Sequence, residues 1–251
     1  MARLKGSGIP TPWGIFAYGQ HSPVQSAASW VWGSGGSFVS ADGGRVLFDQ
    51  PEACEGILAF LKLHRYMPPD ARNVEEIDAR DLFVARQAAV IIGIGGWLRW
   101  IYTHASIPDA EDRLGVAAPP GPAFVGGSDL IVWQHSRRAQ EAVDLIRFLV
   151  SKRAQLDYCH RAGLLPVRLD VFTEPPYATD PHYQIIGEAL RTGRAFPVVP
   201  KWEIIEGELA DAMIWLWNAL LVAPDQDVDV LIRPYIKSIA RRLTDSLELD
   251  G

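Results

Sequence analysis

The chain has 251 residues, 48% hydrophobic and 22% charged, with 9 tryptophans, enough apolar mass for a substantial core and a composition unlike a disordered segment. Lys and Arg number 24 against 30 Asp and Glu, a formal charge of -6, which excludes a general nucleic-acid or anionic-membrane binder because no net positive field draws in phosphate. The two cysteines, Cys54 and Cys159, stand far apart and lack metal-ligand spacing, so neither a disulfide framework nor a zinc site is expected.

The first eight residues carry no apolar stretch of the kind a secretory signal needs, so no export signal is expected in the chain as written. No apolar run approaches the roughly 18 residues that would span a bilayer, and the expectation is a soluble protein with no transmembrane segment.

In chain order, short apolar runs alternate with amphipathic stretches, the pattern of an α/β protein. Residues 13–17 read as a first strand, entered through Pro10 and Pro12. Residues 26–32 read as a helix ending at Gly33. Residues 37–40 and 45–48, joined by Asp42-Gly43-Gly44, carry hairpin chemistry. Pro51 opens a helix whose inward face is Ala53, Ile57, Phe60 and Leu61. A helical turn over 81–86 leads to the run 88–92, which suits a strand covered on both faces. Gly93, Gly95 and Gly96 end that strand, and residues 97–102 turn helical at the edge where open α/β sheets hold ligands.

Residues 117–122, Ala-Ala-Pro-Pro-Gly-Pro, are the densest proline stretch and predict a crossing between lobes. A strand over 129–134 follows, then a helix capped by Ser136 with the apolar stripe Ala142, Leu145, Ile146 and Leu149. Ser151 starts another helix that ends near Gly163. After an irregular stretch through Pro175, Pro176 and Pro181, three helices are expected over about 182–191, 200–221 and 229–247.

Catalytic signatures fail on inspection. No dinucleotide loop, phosphate loop or nucleophile elbow is complete, and the six histidines show no metal-site spacing. No cofactor and no metal are expected. Tryptophan beside glycine is the distinctive feature: Trp30 and Trp32 precede Gly33, Trp97 follows Gly95-Gly96, and Trp202 follows Pro197-Val-Val-Pro-Lys. An indole face suits stacking against the C–H face of a pyranose, though core packing is the commoner use of such a side chain. Trp133, Trp215 and Trp217 are assigned to core or interface.

The ordered set Gly33-Ser-Gly-Gly-Ser-Phe-Val-Ser40, Phe48-Asp-Gln-Pro-Glu52, Ile94-Gly-Gly-Trp97, residues 119–130, Gly163-Leu-Leu-Pro-Val-Arg168 and Pro197-Val-Val-Pro-Lys-Trp202 resembles the extracellular solute-binding proteins of carbohydrate ABC transporters, the maltose-binding-protein-like group. The resemblance implies an α/β, periplasmic-binding-protein-like type II fold that is N-terminally incomplete. Residues 1–122 and 172–251 would form the C-terminal lobe, and 123–171 a remnant of the N-terminal lobe. That remnant should lack sheet neighbours, leaving the 129–134 strand with an open edge.

The implied function is binding of a sugar or oligosaccharide in an interlobe cleft, without enzymatic chemistry, for delivery to an ABC transporter permease in a periplasmic or extracellular setting. The implied ligand contacts are Trp97, Trp202, the turn Gly126, Gly127 and Ser128, and Gln20, His21 and Trp30 near the first strand. Two other classes stay open: a carbohydrate-active hydrolase drawing on carboxylates such as Asp129, Glu203 and Glu206, and an interaction module that recruits a partner through its exposed strand edge.

Overall fold

The computed structural model describes residues 11–14, 23–67, 76–104 and 113–249. They divide into two compact units. The first draws on residues 1–92, 119–124 and 195–251, and the second on 93–118 and 125–194. The expected crossing near 122 falls within the short return segment 119–124. The boundaries otherwise differ from the three-part division read from the sequence, because 93–118 and 172–194 pack with the second unit.

In the first unit, β1 (Thr11–Gly14) pairs in parallel with β2 (Ala88–Ile91), Trp13 opposite Val90. The expected strand over 13–17 thus begins two residues earlier, and 15–17 lie outside the described residues. β2 is not covered on both faces: Val90 is exposed and only Ala88 is buried. The apolar run suits a strand covered on both faces, but among the described residues the sheet has two strands and offers fewer neighbours.

Helix α1 (Pro23–Gly33) packs on α2 (Pro51–Leu61), with Val24, Ala27, Ala28 and Val31 facing Ala53, Ile57, Leu58 and Leu61 in one core. Pro51 occupies the first turn of α2, where its missing N–H has no helical partner to lose. The two helices meet at Gly56, where a Cβ would lie 2.5 Å from Val31 Cα and 2.6 Å from the Trp30 carbonyl oxygen. Between them the chain forms a miniature hairpin: Val39 bridges Val46, Ser40 N–H bonds the Arg45 carbonyl and Leu47 N–H bonds that of Phe38.

Helix α3 (Glu76–Val84) precedes β2. The unit is completed by the last two helices of the chain. The longer run of apolar periodicity gives α8 (Trp202–Val222), whose Ile205, Leu209, Ala212, Met213, Leu216 and Leu220 face the core. The final helix, α9 (Val228–Leu249), adds Ile232, Ile236, Ile239 and Leu243. Trp217 is buried as expected. Trp215 is exposed and stacks on Tyr235 at 4.4 Å, because its position points away from the Ile205-to-Leu220 stripe.

The second unit contains α4 (Trp97–His104), α5 (Ala139–Leu149), α6 (Lys152–Ala162) and α7 (Pro181–Thr192). Its core is small: Leu98, Val171, Phe172, Tyr177 and Tyr183, with Tyr102, Leu156, Leu165 and Ile186 against them. Ser151 caps α6 by accepting the Ala154 N–H, and left-handed Gly163 closes it. Asp180 caps α7 at the N–H groups of His182 and Tyr183, and Pro181 takes its first position. Buried Gln155 accepts from Val167 N–H at 2.9 Å and donates to the Leu149 carbonyl at 2.7 Å.

Two expectations fail in this unit. Residues 129–133 form no strand, and Trp133 is 68% exposed. A ladder needs a neighbour, and none pairs with this segment among the described residues. Helix α5 starts at Ala139 rather than beside Ser136, and it buries no residue fully.

Cys54 lies in the first core and Cys159 is buried on α6, and burial raises both thiols above their ordinary range. An aromatic disulfide reagent should therefore react with neither thiol in the native chain and with both after unfolding. The close approach at Gly56 predicts that Gly56→Ala costs about 1–3 kcal/mol in urea denaturation, since the backbone of α1 has nowhere to retreat.

Candidate functional site

An aromatic cluster of the first unit, continuous with its core, includes Trp202, at the first position of α8. Lys201, just before it, is left-handed with φ 65°, a conformation uncommon outside glycine and Asn. That turn, with Val199 N–H bonding the Pro197 carbonyl and Trp202 N–H bonding that of Val199, brings the indole round onto Phe196. Trp202 lies 4.6 Å from Phe196 and 6.2 Å from Phe38, ring centre to ring centre. Phe196 in turn meets Phe38 at 5.4 Å, Trp32 at 5.8 Å and Phe124 at 4.7 Å. Trp202 is half-buried, an indole fixed by aromatic neighbours with part of its surface open.

Polar groups stand beside this surface. Glu206 lies four residues beyond Trp202, one turn along the same face of α8. Its Oε1 accepts from Gln25 Nε2 on α1 at 3.4 Å, while Gln25 Oε1 is buried without a hydrogen-bond partner among the described residues. An apolar platform beside an amide and a carboxylate is a chemistry that can hold a ring by its face and its hydroxyls.

The hairpin turn at 42–44 is seated against the same region. Gly43, at φ +72°, is where a Cβ would fall 2.6 Å from Val199 Cβ. The Ser40 hydroxyl and the Gly44 N–H both bond Asp42 Oδ1, and the Ser40 bond foremost holds this exposed carboxyl below its ordinary range.

The second unit holds Trp97 at the start of α4. Its six-membered ring lies over Gly93, where a Cβ would come 2.4 Å from Cε3, and the side chain is 9% exposed. Gly96 lets the chain pass Gly163, whose carbonyl oxygen would be 2.8 Å from an added Cβ. Further along α4, the Tyr102 hydroxyl meets His182 Nδ1 and lies 3.2 Å from Asp180 Oδ2, fastening α4 to the N-terminus of α7.

Of the residues singled out in the sequence, Trp202 joins the aromatic surface of the first unit and Trp97 belongs to the second. Gly126, Gly127 and Ser128 are exposed in irregular chain of the second unit, and a Cβ on Gly127 would meet open space. Trp30 packs edge-on against Phe60, which itself stacks on Trp217, so its ring faces the core. Gln20 and His21 lie outside the described residues. Sequence reasoning did not find Phe38, Phe196 or Gln25 and read Glu206 as a solvated helix face. The Phe-Pro step at 196–197, just before the Trp202 turn, was the available signal.

A family model described as bacterial extracellular solute-binding protein matches residues 19–185, well over half of the chain. A Deinococcus radiodurans protein named "Probable ABC transporter-binding protein" is 29% identical over 141 residues, covering 51% of this chain and 32% of its own length. A Brucella abortus relative is 25% identical over 195 residues, covering 73% and 45%.

Among solved structures, the sugar-binding protein MalE of Xanthomonas citri superposes with a TM-score of 0.77 at 16% identity, over 98% of this chain and 60% of that one. A tagatose-bound ABC transporter solute-binding protein of Thermotoga lettingae gives 0.71 at 21%, over 94% and 59%. The chain thus spans less than half the length of these curated relatives and about three-fifths of the solved ones. The structural likeness shows the expected α/β, type II periplasmic-binding fold.

The turn carrying Asp42 makes a contribution present above the ordinary carboxylate range near pH ~4 and lost as pH falls through the lowered value. Asp42→Ala should therefore lower the melting temperature at pH 7, with the gap to the parent closing as denaturation is followed down to about pH 2. Fold and family match converge on one assignment: the chain belongs to the bacterial extracellular solute-binding proteins.

Proposed function

We propose that this chain binds a sugar or oligosaccharide for delivery to an ABC transporter permease, in a periplasmic or extracellular setting. The observation that carries the reading is the partly buried Trp202 indole, fixed by Phe38 and Phe196 and flanked by the Gln25–Glu206 pair. Ring faces of a saccharide stack on such an indole, and the amide and carboxylate bond its hydroxyls. The sugar-binding MalE of Xanthomonas citri and the tagatose-bound protein of Thermotoga lettingae share the fold and support the substrate class.

Trp97, with the turn Gly126, Gly127 and Ser128, is proposed to contribute ligand contacts from the second unit. Trp30 has no part in the proposed site, since its ring is committed to Phe60. Binding would favour a closed arrangement by contacting both lobes more fully there, a population shift driven by differential affinity.

Titration with maltose, maltotriose and tagatose, followed by intrinsic tryptophan fluorescence and calorimetry, tests the reading. At least one saccharide should bind saturably, and Trp202→Ala should weaken it about 10-fold or more, the loss of one stacking partner. Trp215→Ala, which alters an exposed indole on the far stripe of α8, should leave affinity unchanged. Saturable binding that ignores Trp202, or no binding across the panel, overturns it.

A further inference from the structure

Helix α8 starts without a side-chain cap. Lys201 holds the N-cap position in the left-handed region, φ 65° and ψ 7°, and its side chain makes no capping bond. A residue other than glycine stays in that region only where its surroundings over-determine it, so the direction in which Trp202 leaves the turn 197–201 is set in part by what that turn rests on. The hairpin of residues 38–47 meets it at two points. On the first arm, buried Phe38 lies 5.4 Å from the Phe196 ring and 6.2 Å from the Trp202 ring, centre to centre. At the tip, Gly43 is buried between exposed Asp42 and Gly44, and a Cβ there would fall 2.6 Å from Val199 Cβ and 2.9 and 3.0 Å from the two Val199 methyls. Val199 in turn accepts the Trp202 N–H through its carbonyl at 3.3 Å. Phe38 and Gly43 are carried by one closed loop, since Val39 bridges Val46, Leu47 N–H bonds the Phe38 carbonyl and Gly43 N–H bonds that of Ser40.

We propose that Gly43 is a positioning residue for the Trp202 indole: the hairpin tip takes Val199 at a separation that only a glycine allows, and that seat, with Phe38 against the ring, aims the indole. The role rests on the saccharide reading of Trp202 and concerns how the stacking face is held. A side chain at position 43 has to displace Val199, because the atoms it meets are a Cβ and two methyls of a short branched side chain with no far end to swing aside. The 2.6 Å approach falls short of the 3.4 Å at which ordinary contact begins, by more than the ~0.5 Å of displacement that a binding constellation tolerates. Moving Val199 carries along the carbonyl that holds the Trp202 N–H, and so turns the indole away from Phe38 and Phe196.

The test uses the intact chain and two readouts: affinity for whichever of maltose, maltotriose and tagatose binds, and acrylamide quenching of Trp202, taken as the difference between each protein and its Trp202→Phe counterpart. Gly43→Ala should weaken affinity about 10-fold and raise the quenching of Trp202, with the far-ultraviolet circular dichroism unchanged. In the Trp202→Ala background Gly43→Ala should lower affinity no further, the mark of a residue that acts through that indole. Gly35→Ala, at φ +83° with nothing within 4 Å, imposes the same backbone penalty without the collision and should change neither readout. Joining Gly43→Ala to Val199→Gly removes the obstructing side chain and refills its seat with a methyl, which should bring affinity back to within about 3-fold of the parent. If Gly43→Ala does not fold, Val199→Gly alone, which empties the seat without a collision, should show the loss in both readouts, and its absence there overturns the role. Parent-like affinity and quenching in Gly43→Ala, equal damage from Gly35→Ala, or a loss that adds in full to that of Trp202→Ala overturns the role while saccharide binding stands. A panel without a binder overturns the saccharide reading, and the quenching comparison then decides the positioning role by itself.

Discussion

Helix α1 lies so close to α2 that no side-chain carbon fits between them at Gly56, and much of the first unit is arranged around that contact. With one face spent on α2, α1 distributes its remaining side chains in set directions. Trp32 goes to the aromatic surface with Phe38 and Phe196, and Trp30 goes to Phe60 and the interior. Ser29 donates to the Pro122 carbonyl at 2.9 Å and so holds the returning segment 119–124. Through Trp32, α1 backs the two rings, Phe38 and Phe196, that Trp202 packs on.

The two units differ in how far they satisfy themselves. The first closes a core of nearly thirty buried side chains around α1, α2, α8 and α9. The second has five fully buried apolar members in its cluster and relies on polar fastenings: Gln155 between Leu149 and Val167, Tyr102 against Asp180 and His182. A small core with satisfied polar hubs can hold a defined shape, though it leaves little apolar attraction to spare for α5.

Helices whose stops and starts are local were legible in the sequence. Ser151 with Gly163 and the Pro51 entry to α2 depend on residues within one turn, and the hairpin followed from Asp42-Gly43-Gly44, whereas Pro181, capped by Asp180 in the structure, reads in the sequence as part of an irregular stretch. What depends on partners far along the chain was not legible. Residues 129–134 have strand composition and pair with no strand among the described residues, and β2 reads as a strand covered on both faces although β1 is its one partner among them. The Gln25–Glu206 contact joins positions 181 residues apart. Trp202 was reached through family resemblance, since an indole in isolation reads the same whether it packs or stacks.

Thiol burial has a consequence for the redox chemistry of the folded chain. One sulfur is sealed in each unit, neither is joined to anything, and both are held in the protonated form that oxidants attack slowly. While both units are folded, neither thiol is therefore open to oxidation or to exchange with a soluble disulfide.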